Sequence, residues 1–267
     1  MSTLREFHDQ DDFVEVGDMV DELVRNYPQE ARSHYLKGVQ LIKQGWAARG
    51  AGYADTVTEA GANEFNNSIS KARESLLKSV ELDADNIYTY EQLVTVFRAQ
   101  GNRSEAERFF NIAKQKQPNH IGVHQMMQLF LSGRWFGSDV AVLNFARLHS
   151  QDDASGELAC LIPMAHVENW VFADGNRNAK YFKTKAVRKE IKDSFKRFLT
   201  SQQTPEENVR SRLEALQYYA CVFSFSGDRR QAKKAFKAMK GSYSDAVWRY
   251  WNNPEEMFVK FKWAAGA

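Results

Sequence analysis

The chain has 267 residues, 43% of them hydrophobic and 26% charged, a composition typical of soluble globular proteins. It contains no run of about 18 apolar residues, and its first residues, MSTLREFHDQDDF, lack an apolar stretch after a basic start, so neither a membrane span nor a secretory signal is predicted. The net charge of +2 conceals an asymmetry, because residues 177–267 hold 20 Lys/Arg and only 9 Asp/Glu.

The two cysteines, Cys160 and Cys221, lie far apart in the chain, each inside an apolar stretch with helical spacing. This usage favours two buried, reduced thiols rather than a disulfide. Together with the missing secretory signal, it predicts a cytoplasmic protein.

A repeat of 34 residues is the strongest pattern in the sequence. A small, a large and a small residue occur in that order, followed by a fourth position that holds a helix-breaking proline in the second copy, and the same spacing recurs one period later. The two sets are Ala72, Leu76, Ser79 and Ala84, then Ala106, Phe110, Ala113 and Pro118. A period of this length is typical of stacked helix-turn-helix arrays. Residues 87–120 resemble the tetratricopeptide repeat (TPR), with a small alanine where two antiparallel helices approach closely.

The same residue spacing can be followed from the 34-residue repeat towards the N-terminus. Val16, Val20 and Leu23 repeat the spacing of a second helix, which predicts a lone acidic helix before the first full repeat. RSHYLKGVQLIKQ then supplies the first helix of that repeat. Gly45 and Gly101 are 56 residues apart, 22 more than the period, so the spacing predicts a 22-residue insertion between the two helices of the first repeat.

The insertion is predicted as an ordered loop over 46–68. Its sequence is rich in glycine and alanine but also carries larger side chains that need packing partners, namely Trp46, Arg49, Tyr53 and Thr56. This segment, the later LDAD, and RWFGS before NFAR resemble a bacterial family of TPR-like proteins catalogued as a domain of unknown function. The resemblance covers about residues 12–150. It implies an all-helical fold and a bacterial origin, and it implies no reaction.

Beyond residue 120 the repeat continues with looser spacing. His124, Met127 and Leu131 form the predicted inner face of the next first helix, and a second helix follows up to about residue 153. Further helices are predicted over 156–170 with a kink at Pro163, and over 179–200, 206–225, 229–239 and 244–263.

We therefore predict an all-α fold, a TPR-like α-solenoid of antiparallel helix pairs with a C-terminal capping helix region. TPR-like repeats occupy residues 1–155 and include the inserted loop. Residues 156–267 supply further helical pairs and an aromatic-rich cap, continuous with the first part.

No motif in the sequence carries recognisable chemistry. Gly50 and Gly52 give only GxG, without the strand, spacing or lysine of a phosphate-binding loop. His120 and His124 are spaced like a metal pair but have no supporting acidic or cysteine ligand, so we interpret them as structural. The sequence contains neither a nucleophile elbow nor HExxH. We predict that the protein is not an enzyme and uses no metal or cofactor.

In TPR arrays a partner binds on the concave groove lined by the first helices. Carried onto this chain, the outward positions are Arg32, Tyr35, Val39, Tyr88, Glu91, Thr95, Arg98, Gln125 and Leu129. Aromatic and arginine side chains on such a face suit a polypeptide partner. We predict a protein-interaction module, a scaffold or adaptor, that uses this groove or the inserted loop.

Three alternatives remain open at this stage, and one of them is an enzyme with an unrecognised site near the insertion. A narrower form of the interaction module is an immunity or antitoxin-like protein that neutralises a bacterial toxin, since strong charge polarity suits fast association. The predicted partner is then a toxin or a secretion-related protein. The other class is nucleic-acid binding through residues 177–240, where basic residues alternate with Tyr181, Phe182 and Phe195. No membrane partner is predicted.

Overall fold

The computed structural model describes residues 10–50, 56–172, 180–201, 206–251 and 253–267. Helices make up nearly all of this described part, which contains no strand, so the predicted all-α class is confirmed. None of its helices combines the length and the hydrophobicity that a membrane crossing requires. The chain divides into two compact units, Met1–Lys116 and Gln117–Ala267, a boundary earlier in the sequence than the predicted 155/156.

The described residues of the first unit form five α-helices. They are α1 (Gln10–Asn26), α2 (Ala31–Arg49), α3 (Glu59–Leu82), α4 (Ile87–Ala99) and α5 (Arg103–Lys116). Side-chain caps fix two of their starts: Thr58 accepts a hydrogen bond from the Gly61 amide, and Asn86 accepts one from the Tyr88 amide. Helices α2 and α3 pack together, as do α4 and α5, and α4 also contacts α2 and α3.

The repeated positions lie at these helix contacts. All six are buried: Ala72, Leu76 and Ser79 on α3, then Ala106, Phe110 and Ala113 on α5. Gly38 on α2 lets the two helices approach especially closely, because it has no side chain. A Cβ on Gly38 would lie 2.5 Å from Cγ of Leu76 on α3. The spacing of the small residues therefore predicted correctly which helix faces meet.

The insertion is mostly helical, which corrects the predicted loop over 46–68. Helix α2 runs on through Arg49, and α3 begins at Glu59, so both helices are lengthened to 19 and 24 residues, against 13 and 14 for α4 and α5. Trp46 packs edge-on against Phe65 with ring centroids 4.8 Å apart, which joins the two extensions. The extra residues thus build a longer antiparallel hairpin, whose two helices are joined by residues 50–58.

The second unit contains seven α-helices in its described part. They are α6 (Ile121–Phe130), α7 (Asp139–Asp152), α8 (Leu161–Phe172), α9 (Lys185–Thr200), α10 (Val209–Ser226), α11 (Arg229–Ala238) and α12 (Pro254–Ala265). Short 3-10 helices lie at Glu157–Cys160, Tyr181–Lys183, Glu206–Asn208 and Trp248–Tyr250.

Helix α8 forms the centre of this unit. Every residue from Leu161 to Val171 is buried, and α8 packs against α6, α7, α9 and α10. A helix that is apolar on all sides belongs in the core of a globular domain, whereas a helix of a two-layer array keeps one face in water. Pro163 lies in the first turn of α8, directly after the 3-10 helix Glu157–Cys160, and the kink expected there stays a prediction.

Aromatic side chains fill the rest of the core. Trp248, Tyr219 and Phe195 are almost wholly buried, and the indole Nε1 of Trp248 donates to Oε1 of Gln217 over 2.7 Å. Cys160 and Cys221 are buried free thiols, as expected. Burial raises the pKa of both thiols, which makes them unreactive.

Candidate functional site

The predicted groove residues of the first unit lie on α2 and α4, which pack side by side. Arg32 is exposed on α2, and four further side chains are half-buried, namely Tyr35, Val39, Tyr88 and Glu91. These five side chains are accessible to a partner. They occupy α2 from its first turn to its middle and the first half of α4.

Thr95 and Arg98 do not line an open surface, contrary to the prediction. Their exposed fractions are only 7% and 8%, and the Thr95 hydroxyl donates to the Glu91 carbonyl. Helix α4 packs against α2, α3 and α5, and this packing buries every residue from Leu93 to Arg98. The accessible part of α4 therefore ends at about Glu91.

The remaining groove positions belong to the second unit. Gln125 is buried and Leu129 is half-buried on α6, a helix with few exposed side chains. The neighbouring Gln128 donates a hydrogen bond to the Leu161 carbonyl over 2.9 Å, which ties α6 to α8. Gln125 thus offers little contact area to a partner.

The predicted loop residues have different surroundings. Trp46 is half-buried against Phe65, and the Arg49 guanidinium lies 5.5 Å from the Trp46 ring centroid, within the range of a cation–π contact. Thr56 is exposed, and Tyr53 falls outside the described residues. Trp46 and Arg49 hold the end of the α2–α3 hairpin together.

His120 and His124 have structural contacts. The ring Nδ1 of His120 accepts a hydrogen bond from the Val123 amide and so caps α6, which makes Nε2 the protonated nitrogen. Nδ1 of His124 donates to the His120 carbonyl over 2.9 Å, and its ring packs edge-on against His149 at a centroid distance of 4.9 Å. No cluster of three metal-ligating side chains occurs in the described ranges.

A polar network that the sequence did not reveal joins α7, α8 and α9. His166 on α8 is buried; its Nδ1 lies 2.6 Å from the Tyr181 hydroxyl, and its Nε2 lies 3.2 Å from Oε2 of Glu190. Arg147 donates two hydrogen bonds to the same carboxylate, at 2.7 and 3.0 Å. Both ring nitrogens of His166 therefore have a hydrogen-bond partner, Nδ1 at the Tyr181 hydroxyl and Nε2 at the Glu190 carboxylate.

The pKa values of this network indicate a structural role. Hydrogen bonds from His166 and Arg147 lower the pKa of Glu190 to about 2, and burial raises the pKa of Tyr181 to about 12. A general acid or base works best with a pKa near the operating pH, and both pKa shifts run away from neutrality.

A depression between α9 and α10, beside Arg188 and Phe223, has a cavity volume of about 10 Å³, which is room for a single water molecule.

Two helices of the second unit are especially rich in basic residues, with six Lys/Arg on α9 and five on α11. On α9 the aromatic side chains Phe195 and Phe198 are buried, and so is Phe182 just before it, while Tyr181 is half-buried in the network above. None of the buried rings can stack on nucleic-acid bases, which removes the aromatic platforms that a nucleic-acid interface at residues 177–197 would need. The aromatic residues of this segment therefore serve the core.

Several charges of α9 are paired locally. Lys189 forms an ion pair with Asp193, and Lys192 pairs with Asp228, the N-cap of α11, over 2.6 Å. By contrast, residues 229–240 hold six Lys/Arg and no Asp/Glu. None of these six forms an ion pair with any acidic side chain that the structure describes. Helix α11 thus carries the larger unneutralised positive charge.

No family model matches the sequence. No curated protein is significantly similar to it either. The resemblance of residues 12–150 to a TPR-like family stays a prediction.

Proposed function

We propose that the chain is a protein-binding module whose first unit is built from TPR-like helix pairs. The burial of the repeated positions carries this proposal. Ala72 and Ala106 are wholly buried, one on each second helix, where the two helices of a TPR pair approach most closely. Two successive pairs, α2–α3 and α4–α5, have this arrangement, and α3 also contacts α4 through the side chains of Ser79 and Thr89, whose hydroxyl oxygens are 3.2 Å apart.

The partner would bind on the face formed by α2 and α4. Repeat arrays bind extended segments or helices on the face that their first helices share. Here Tyr35 and Tyr88 supply aromatic anchors, because each is half-buried and so combines a fixed ring with an accessible edge. Arg32 and Glu91 lie beside them as polar residues that can select the register of a bound segment.

The proposed activity is binding, with no chemical step and no cofactor. The buried thiols and the shifts of Glu190 and Tyr181 away from neutrality support this choice over an enzyme. A cytoplasmic adaptor of bacterial origin remains the setting that the sequence favours. An immunity or antitoxin-like protein is the narrower form of the same proposal, and the identity of the bound protein distinguishes the two.

Site-specific photocrosslinking in cells that naturally contain the protein tests the proposal. A photoreactive amino acid replaces Tyr35 in one variant and Glu74, an exposed residue of α3, in the control. We expect one protein to be crosslinked from position 35 and not from position 74, and Tyr88→Ala should reduce its yield at least about tenfold, as for a hot-spot residue. Equal yields from both positions, or no crosslinked protein, would overturn the groove proposal.

A further inference from the structure

The α11–α12 pair exposes an apolar surface. Val259 and Trp263 are 55% and 83% exposed and lie four residues apart on one face of α12. The other face of α12 packs on α11, with the rings of Phe258 and Phe236 5.4 Å apart. Tyr243, 39% exposed, contacts Phe258 from the side. Large exposed apolar side chains that lie together mark a binding surface, whereas single ones need no explanation.

Positive charge borders this surface. The Nζ of Lys233 lies 3.6 Å from the position that a Cβ on Gly266 would occupy, which places the lysines of α11 beside the C-terminal end of α12. Lys237 and Arg230 share the solvent-facing side of α11 with Lys233 at helical spacing.

The stability of α11 accounts for only part of this charge, because Lys237 lies in its last turn, where the helix dipole favours cations, whereas the charges of the first turn have no such role. Arg229 and Arg230 lie in its first turn, where the helix dipole disfavours cations. Like charges three or four residues apart along the helix also repel one another. A sequence that keeps six cations and no carboxylate over 229–240 therefore points to an anionic partner.

We infer that the exposed face of α11 and α12 binds an acidic amphipathic α-helix of a partner protein. The apolar side chains of that helix contact Val259 and Trp263, and its carboxylates face the lysines of α11. This arrangement continues the packing inside the unit, where the apolar stripe of each helix is covered by another helix. Tryptophan in the middle of such a contact, with charges around it, is the usual composition of an interface hot spot.

A nucleic acid fits this surface less well than a protein. Glu256 lies on the same exposed stripe of α12, two turns before Trp263. Val259 offers no ring on which a base could stack. An exposed tryptophan, by contrast, is among the residues enriched in protein interfaces.

The inference goes beyond the proposed function, because α11 and α12 belong to the second unit and the proposed groove belongs to the first. The photocrosslinking result at Tyr35 does not affect it. Likewise, failure of the experiment below leaves the groove proposal standing.

A peptide selection with the full-length protein provides the test. The immobilised chain selects from a displayed library of random helical peptides about four turns long. We expect the enriched peptides to be acidic and to carry apolar residues three or four positions apart. A fluorescent synthetic copy of the most enriched peptide then gives dissociation constants by anisotropy, with a single-stranded oligothymidylate as competitor.

Two variants and two matched controls separate the outcomes. Trp263→Ala should weaken peptide binding about thirtyfold, and Lys233→Glu with Lys237→Glu should weaken it at least about tenfold. Val140→Ala, an equally exposed site on α7, and Lys185→Glu with Lys196→Glu, the same charge change on α9, should leave it unchanged. Enrichment of no peptides or of neutral or basic ones, equal affinities in all variants, or tighter binding of the oligothymidylate would overturn the inference.

Discussion

Glu157 is entirely buried, and Arg212 donates a hydrogen bond to its carboxylate over 2.6 Å. The same guanidinium donates to the Phe198 carbonyl and lies 4.2 Å from the centroid of the Phe198 ring. The Ser201 hydroxyl also donates to Glu157. One buried ion pair thus joins the Glu157–Cys160 segment to α9 and α10, three parts of the second unit that lie far apart in sequence.

Removal of the arginine should strongly destabilise the second unit. In Arg212→Met the carboxylate of Glu157 stays buried without its counter-charge, which typically costs about 3–5 kcal/mol. Urea unfolding followed by circular dichroism measures the change. As a control, Lys189→Met breaks the exposed pair with Asp193, for which about 0–1 kcal/mol is expected. Equal effects of the two substitutions would contradict the role assigned to the buried pair.

The double substitution Glu157→Gln with Arg212→Met should recover part of the loss. A neutral amide at position 157 carries no buried charge, and the methionine side chain fills much of the space of the arginine stem. We expect the double variant to be more stable than Arg212→Met alone. If it is less stable than that single variant, the buried charge of Glu157 is not the cause of the destabilisation.

Glu190 should make the stability depend on pH in the acidic range. Its pKa is about 2 in the folded protein, because His166 and Arg147 donate hydrogen bonds to it, against 4.5 as the ordinary value. The lowered pKa stabilises the folded state above pH 4.5, and the contribution is lost as the pH falls from 4.5 towards 2. Its size is on the order of 2–3 kcal/mol at neutral pH.

Comparison with Glu190→Gln isolates this contribution. At neutral pH the variant should unfold at a lower urea concentration than the parent chain, since the amide accepts fewer charge-assisted hydrogen bonds. Towards pH 3 the parent chain loses the advantage of its carboxylate, so the two midpoints should converge. A difference that stays constant over this pH range would show that Glu190 is not the titrating group.

The helices and their contact faces could be predicted from the sequence because they depend on local spacing. Ala72, Leu76, Ala106 and Ala113 were expected at helix contacts, and all four are buried. The conformation of the predicted insertion was wrong, because a period counts residues and carries no information on whether the extra ones lengthen a helix or form a loop.

The candidate sites were harder to predict than the fold. We assigned the groove positions from an idealised repeat, in which Arg98 faces outward. In the structure Arg98 is buried, because α4 is enclosed by three other helices. The network of His166, Tyr181 and Glu190 brings together residues 15 and 24 positions apart, from segments with no common motif. Helix α8 did carry a signal, since LIPMAHVENWVF is apolar on nearly every face, as expected of a buried helix.

Gly137 should be the least replaceable residue of the turn between α6 and α7. A Cβ at this position would lie 2.0 Å from the Leu131 carbonyl oxygen, a backbone atom that cannot rotate away. Gly137→Ala is therefore expected to cost about 3 kcal/mol or more. Gly133→Ala in the same turn is the matched control, because its nearest neighbour, a carboxylate oxygen of Asp139, is 3.6 Å away.

Substitution of Gly61 should show that the stability of the α2–α3 hairpin depends on the close approach of the two helix backbones. An alanine normally stabilises a helix interior relative to glycine by about 0.5–1 kcal/mol. At position 61, however, the added Cβ would lie 2.7 Å from the Ala48 carbonyl oxygen, so Gly61→Ala should instead destabilise the first unit by about 1–3 kcal/mol. Gly17→Ala provides the control within the same unit, since its nearest neighbour is the movable end of the Gln40 side chain at 3.3 Å. We expect opposite signs for the two substitutions in urea unfolding; a stabilising Gly61→Ala would mean that the extended ends of α2 and α3 do not pack as closely as described.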